Sequence, residues 1–528
     1  MKTTFPLPRR AALIALLLLL AGQLAHAGSA AWNLNPTSGD WNTAANWTPA
    51  TVPNGQSDIA TFGLSNNTNV SLSLAVSVSE VVFSPGASGF TISFAHGRTL
   101  NLYGAGITNN SGTTQNFLLA AFRGVVAQMV FHNSATAGNG TVFMVEGNGP
   151  LSSLLFLDTS SAGTATFTAT GSATSVTGSA IDLAGTSTAA QATFINDGGI
   201  FSGGQGGLTN FLEDATADQA TCLAHGGIVS GALGGFVLFG NSSTAGNATL
   251  IADGGVSGAA GGVISFLGLS NGGSARVELF ANGSLDLKSL GHGLTIGSLE
   301  GDGVVSMGAV NLTVGGNDLN TLFSGVIGAA GDSGGLSKIG TGVLTLSGAN
   351  LYSGGTTMSQ GTLVLANVAG SATGAGTVQV DAGTLGGSGI VSGAVTIGTG
   401  SGPGAFLAPA HGSKMQSVLT IQSALIFNAD STYTYTFKAK KKKAKTDEVI
   451  ANGVTINGGT FNFSGTVQGV LKQGLVLTAI SNTAATPTNG TFSNLADGVI
   501  VTVNGNNLQA SYEGGDGNDL TLTVLPQL

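Results

Sequence analysis

Asp197 and Asp253 stand at the same phase of two copies of a repeated phrase, and His225 holds nearly that place in the copy between them. Two carboxylates and an imidazole gathered in one column could serve as an acid/base pair on a saccharide groove, or with more oxygens as a calcium site. Glu213, Asp214 and Asp218 crowd a nearby loop and could line a similar sugar or ion groove. Solvated tight-turn chemistry is favoured over both readings, because Asp ahead of Gly favours turns. The remaining histidines beyond the first 27 residues, His96, His132, His292 and His411, form no His pair at i+4 and no Cys/His cluster, so no zinc site is expected. His132 and His225 read as turn or rim residues of the repeats. Gly268-Leu269-Ser270-Asn271-Gly272 spells G-x-S-x-G, but a repeat follows where a nucleophile elbow needs a helix. Gly514-Gly515-Asp516-Gly517-Asn518-Asp519 is similar to one calcium-binding nonapeptide, whose oxygen shell needs successive copies. No catalytic, cofactor-binding or metal residue is assigned, and no cofactor is expected.

The elements that must position these groups repeat. The segments 133–147, 159–171, 186–199, 214–227, 242–255 and 270–283 share one frame. Anchored on the apolar residue after a small-Thr pair, they align Val142, Phe167, Phe194, Cys222, Leu250 and Val277, with later spacings of 27, 28, 28 and 27 residues. Eleven residues before each anchor stands another apolar residue: Phe131, Phe156, Leu183, Phe211, Phe239 and Phe266. A period in the twenties defines a solenoid, whose units cannot bury their apolar faces alone. Runs such as VSLSLAVSVSEVVF (70–83), GVLTLSG (342–348) and YTYTF (433–437) alternate apolar and polar residues, or form short apolar blocks, between Gly and Asn. They read as strands, and no capped apolar helix pattern occurs after residue 27. About 27 residues suit three short strands and three turns, stacked at roughly 4.8 Å per coil. Cys222 fills a slot held elsewhere by Phe, Leu or Val, and reads as a small buried core residue.

Composition narrows the function. The 528 residues include 86 Gly and 11 Pro, with 42% hydrophobic and only 8% charged residues. That balance opposes disorder. Lys2, Arg9 and Arg10, an apolar run over Leu13 to Leu20, and Ala25-His26-Ala27 read as a signal peptide over residues 1–27. Its removal takes the formal charge from −9 to −12. So few cations cannot neutralise a row of phosphates, which argues against nucleic acid. Six of the remaining cations crowd Lys438 to Lys445. This run reads either as a tether to an anionic surface or as a solvated hairpin loop, with the loop favoured. No later stretch is apolar enough for a transmembrane helix.

GGLSKIGTGVLTLSGANLYSGGTTMSQGTLVLA (334–366) resembles the autotransporter-associated β-strand repeat, also called the passenger-associated transport repeat. The likeness rests on Gly335-Leu336-x-Lys338, Gly340-x-Gly342, Leu344-x-Leu346-x-Gly348-Ala349-Asn350, Tyr352-x-Gly354-Gly355-Thr356-Thr357 and Gly361-Thr362-Leu363. The segments 374–393, 402–412 and 446–465 resemble what trails such repeats, and Trp32, 39–53, 60–62 and 512–524 resemble the ends of exported proteins that carry them. The resemblance implies an all-β, elongated, right-handed parallel β-helix of pectin-lyase-like type, with less regular strand caps. It also implies an exported, Gram-negative-type protein, periplasmic, outer-membrane-associated or extracellular. The C-terminal translocator barrel of that class is not expected in the residues after the repeat.

The expected organisation is a signal peptide (1–27), an N-terminal cap with first coils (28–130), the six-copy region (131–290), a β-helix containing the family repeat (291–412) and a C-terminal β region (413–528) with the Lys-rich loop 438–445. The expected function is a non-enzymatic, surface, adhesive or matrix-forming rod. A carbohydrate-active β-helix, a polysaccharide lyase or hydrolase, or a glycan-binding module is the alternative. Surface glycans or other cell-surface components are the expected partners, and self-association is compatible with the repeats.

Overall fold

The computed structural model describes residues 28–94, 97–120, 127–147, 153–172, 178–411, 416–440 and 442–526. Residues 1–27, read above as a signal peptide, His96 and Lys441 of the lysine run lie outside them. The chain winds into a β-solenoid of about 16 turns. Among the described residues the one helical element is a single 3₁₀ turn, Ala44–Asn46. No helix there is long and apolar enough to cross a membrane, which says nothing of a β-barrel.

Three faces run along the solenoid. Sheet I has 14 strands and extends from the N-terminal end to Val326–Ile327. Sheet II is a parallel ladder from Asn69–Leu72 to Thr460–Gln468. Sheet III has 9 strands, from Leu294–Ile296 to Asn489–Thr491. Through the six copies the third side has no strands, only one bridging residue per coil: Thr136, Ser161, Thr188, Thr216, Thr244 and Asn271 pair in turn. Backbone bonds from Leu351 to Ile327 and from Ala372 to Ile390 carry the side of sheet I onward to a fourth, 7-stranded sheet.

Register within the copies places like on like. Phe194 pairs with Cys222, and Cys222 with Leu250, all three fully buried. Phe143, Phe167 and Phe194 stack ring on ring at 4.7 and 4.9 Å. On sheet I, Phe211, Phe239 and Phe266 stack at 4.7 Å per step. Edge-to-face contacts such as Phe156–Phe167, at 5.6 Å, knit the two columns together. Such pairs contribute about 0.5–1.5 kcal/mol each beyond area burial. One expected anchor shifts: Phe143, not Val142, pairs with Phe167, and Val142 lies half-buried on the outer side. The first copy has one extra residue between its two anchors, and a slip of one residue exchanges the faces of a strand.

The repeated phrase follows from the corners. Each bridging Thr or Ser accepts a hydrogen bond through its hydroxyl from the backbone N–H two residues on, as at Thr188–Ala190 and Thr216–Asp218, both 3.0 Å. Ala162, Ala189, Ala217 and Ala245 follow, each fully buried at the corner. The preceding corner needs positive φ at Asn133, Asp158, Gly185, Glu213, Asn241 and Gly268. Gly, Asn and Asp tolerate that conformation best.

Both ends depart from the parallel pattern. At the N-terminal end Trp32, Trp41, Trp47 and Phe62 cluster with ring centroids 5.0–5.8 Å apart. At the other end Val476–Asn482, Asp519–Val524, Asn506–Gly514 and Ile500–Val503 pair antiparallel.

Candidate functional site

Asp197, His225 and Asp253 each follow a sheet II strand directly: Thr193–Asn196, Thr221–Ala224 and Thr249–Ala252. Backbone bonds from Asp197 to Ala169, His225 to Asn196 and Asp253 to Ala224, each 2.9 Å, hold them in step. The structure therefore brings the three into one column. Register extends that column to Glu146 and Thr170 on one side and to Phe280 on the other.

Beyond each of the three, the chain leaves the coil as a glycine-rich loop and returns nine or ten residues later. The loops of successive coils stack on one another: Ile228 N–H donates to Gly199 O, Val256 to Gly227 O, and Gly203 to Gly231 O. They form a fin beside the column. Its neck closes through bonds from Gly207 N–H to Asp197 O, Gly235 to His225 O and Gly262 to Asp253 O. A Cβ on Gly235 would lie 2.0 Å from the backbone oxygen of Asn196, which explains paired glycines on both legs of the neck. The fin presents Ile200, Ile228 and Val256 as an exposed aliphatic ladder.

Column and fin enclose an open cleft of about 620 Å³. Inside it, Nδ1 of His225 lies 2.8 Å from Oδ2 of Asp253. Burial pushes the Asp197 carboxyl above its ordinary range, and the neighbouring His225 partly offsets this. An imidazole oriented by a carboxylate can hold or accept a proton. Asp197 and Asp253 lie two coils apart, roughly 9.5 Å, at the wide limit for two carboxyl groups flanking a glycosidic bond. Arg276, on the strand that follows Thr249–Ala252 in the ladder, is engaged by Glu278 and Glu300. An anionic polymer would therefore meet repulsion in this cleft. Among the described residues no group of three or more His, Cys, Asp or Glu gathers to hold a metal ion.

The other candidates are placed as follows. Glu213, Asp214 and Asp218 sit on two corners of one coil; Glu213 Oε2 accepts from Gly185 N–H at 2.7 Å, capping a turn of the coil below. Ser270 is fully buried, its hydroxyl donating to Leu267 O at 2.9 Å, and a strand, Arg276–Leu279, follows the motif. Residues 514–519 make a β-hairpin turn in which Asn518 donates to Ala484 O and Asp519 accepts from Asn482 N–H. His132 stacks on Tyr103 at 4.3 Å, and burial lowers its pKa against the pull of Asp158. His292 bonds the neighbouring Gly293 carbonyl, and His411 is exposed. Burial raises the Cys222 thiol to about 12, so it is an inert core group. The Lys run is a strand-paired hairpin rather than a loop: Lys438 faces Lys445, and Lys440 faces Lys443. The fin and its aliphatic ladder were not foreseen, although the paired glycines spaced along 198–262 mark them.

Residues 336–365 match the passenger-associated-transport-repeat, so the chain carries a repeat of autotransporter passenger proteins. No curated protein shows a matching sequence. Within that repeat Lys338 is buried, and its ammonium donates to Ile339 O, Gly340 O and Gln360 O at 2.6, 2.9 and 3.4 Å. It ties the Gly340 corner, where φ is +68°, to the next coil.

Proposed function

We propose that this chain is a non-enzymatic exported rod that serves as a surface, adhesive or matrix-forming structural protein. The observation that carries this reading is the place of the matched repeat. Its strands Leu336–Lys338, Val343–Leu346, Thr356–Met358 and Thr362–Leu365 pair with the coils before and after them. The repeat is thus one course of a longer wall and not a separate module. Ladders of Thr, Ser and Asn along the outside support a repetitive contact surface. Cell fractionation with protease shaving tests the reading: the rod should be recovered outside the inner membrane. A cytoplasmic pool, or loss of a chemical activity on deletion with no change in surface properties, would contradict it.

The cleft of Asp197, His225 and Asp253 favours a second reading, a carbohydrate-active β-helix. The acidity of the cleft narrows its substrates to neutral or basic sugars. A turnover screen on such glycans, with and without calcium, separates the two: product release lost on Asp253→Asn would favour the enzyme.

A further inference from the structure

The strand Ser431–Lys440 runs beyond the body of sheet II, with Lys443–Thr446 antiparallel on one side and Thr460–Gln468 parallel on the other. This three-stranded tab is two-faced. Ala439 is buried, and Ala444 and Val467 pack against the core beside it. Alternation then sends Lys438, Lys440, Lys443 and Lys445 to the opposite, exposed face. The pairing fixes their arrangement: Lys445, Lys438 and Thr466 form one row, and Lys443, Lys440 and Gln468 the next. The four ammonium stems rise from a grid about 5 Å across the strands and about 7 Å along them.

Like charges placed directly opposite across strands destabilise the pairing. Among the described residues none of these four lysines takes part in an ion pair, although the protein carries 25 acidic residues. The grid is thus a positive surface, unpaired among the described residues and backed by a packed core, on an otherwise acidic rod. Each row continues from two ammonium groups to a neutral hydrogen-bonding side chain. That order suits a polymer carrying both anionic groups and hydroxyls. A bilayer would call for an apolar wedge among the lysines, and nucleic acid for aromatic stacking surfaces, and the grid has neither.

We propose that the lysine tab is a binding platform for an anionic polysaccharide. It is separate from the acidic cleft and rests on the exported-rod reading only for its setting, so binding of purified protein tests the platform whatever compartment the rod occupies. The probes are dextran sulfate, uncharged dextran, inorganic polyphosphate, phosphatidylglycerol vesicles and a single-stranded oligonucleotide. Dextran sulfate should bind and dextran should not. With about four contacts, the slope of log affinity against log salt should be about −3. Lys438→Gln/Lys440→Gln/Lys443→Gln/Lys445→Gln should lose at least tenfold in affinity and flatten the slope. Lys440→Gln/Lys443→Gln should lose part of it, and melting curves should show both variants folded. Thr466→Val/Gln468→Leu should weaken dextran sulfate several-fold and leave inorganic polyphosphate unchanged. No binding to dextran sulfate at low salt, equal binding by the quadruple variant, or tighter binding to vesicles or oligonucleotide would overturn the proposal.

Discussion

Phe167→Ala tests how the solenoid is held together. The ring is fully buried, stacked between Phe143 at 4.7 Å and Phe194 at 4.9 Å, and meets Phe156 edge-on at 5.6 Å. Burial of such a side chain contributes about 1.5–3 kcal/mol, and truncation of a buried Phe to Ala costs about 3–5 kcal/mol once the residual cavity is included. The rigid rings above and below cannot collapse into the gap, so we expect about 4 kcal/mol. At about 1.4 kcal/mol per factor of ten, local opening should become nearly a thousandfold more frequent. Each coil contacts only its neighbours, so the effect should stay local. Hydrogen exchange followed by mass spectrometry reads it. Protection should fall by two to three orders of magnitude, on that same ~4 kcal/mol estimate, in Thr141–Val145, Thr166–Ala169 and Thr193–Asn196. It should stay unchanged in the distant strand Val454–Asn457. A fall of less than tenfold near the site, or an equal fall at Val454–Asn457, would refute the reasoning.

Three further outcomes are expected. Ser187 is buried with no partner for its hydroxyl among the described residues, and Ala215 occupies the same slot one coil on, so Ser187→Ala should raise stability by up to about 1 kcal/mol, read as a higher denaturant midpoint; a loss of stability would reveal a missed partner. Gly235→Ala should cost about 3 kcal/mol or more and lower the melting temperature, since the new methyl would strike a backbone oxygen that cannot step aside; an unchanged melt would mean that the neck is open. Burial raises the Asp197 carboxyl above its ordinary 3.8, so its ionised form weakens the folded state above that raised value and the effect vanishes below 3.8. Asp197→Asn should therefore be the more stable protein at neutral pH, with the gap closing as acid is added; a gap that widens in acid would reverse the assignment.

Much of the fold was legible because the repeat is written twice over, in apolar anchors and in corner residues. Phe194, Cys222 and Leu250 fall in register because equal spacing in sequence becomes direct stacking in space. The slip at Val142 shows the limit of counting: one added residue in the first copy moved Phe143 into the column and turned Val142 outward. The column of Asp197, His225 and Asp253 was visible as shared phase. Its cleft was not, because the fin beside it depends on glycine loops whose path periodicity does not encode. Charge density identified the Lys run, but the one-faced grid appears only once Lys438 is paired with Lys445 and Lys440 with Lys443. Glu213 and Asp218 read as turn residues ahead of groove residues and stand on corners; the two readings compete because a left-handed turn draws on much the same polar side chains as a binding site.

The most direct test of the stacked architecture uses the native thiol. Cys222 and Leu250 are neighbours on adjacent parallel strands with side chains on the same inner face, within the Cα separation that a disulfide spans. Leu250→Cys, refolded under mild oxidation and digested, should yield an intramolecular disulfide between the two coils, whereas Ile251→Cys, whose side chain points outward, should yield none. Absence of the first linkage in folded protein, or equal linkage from both variants, would contradict coil-over-coil stacking in this register.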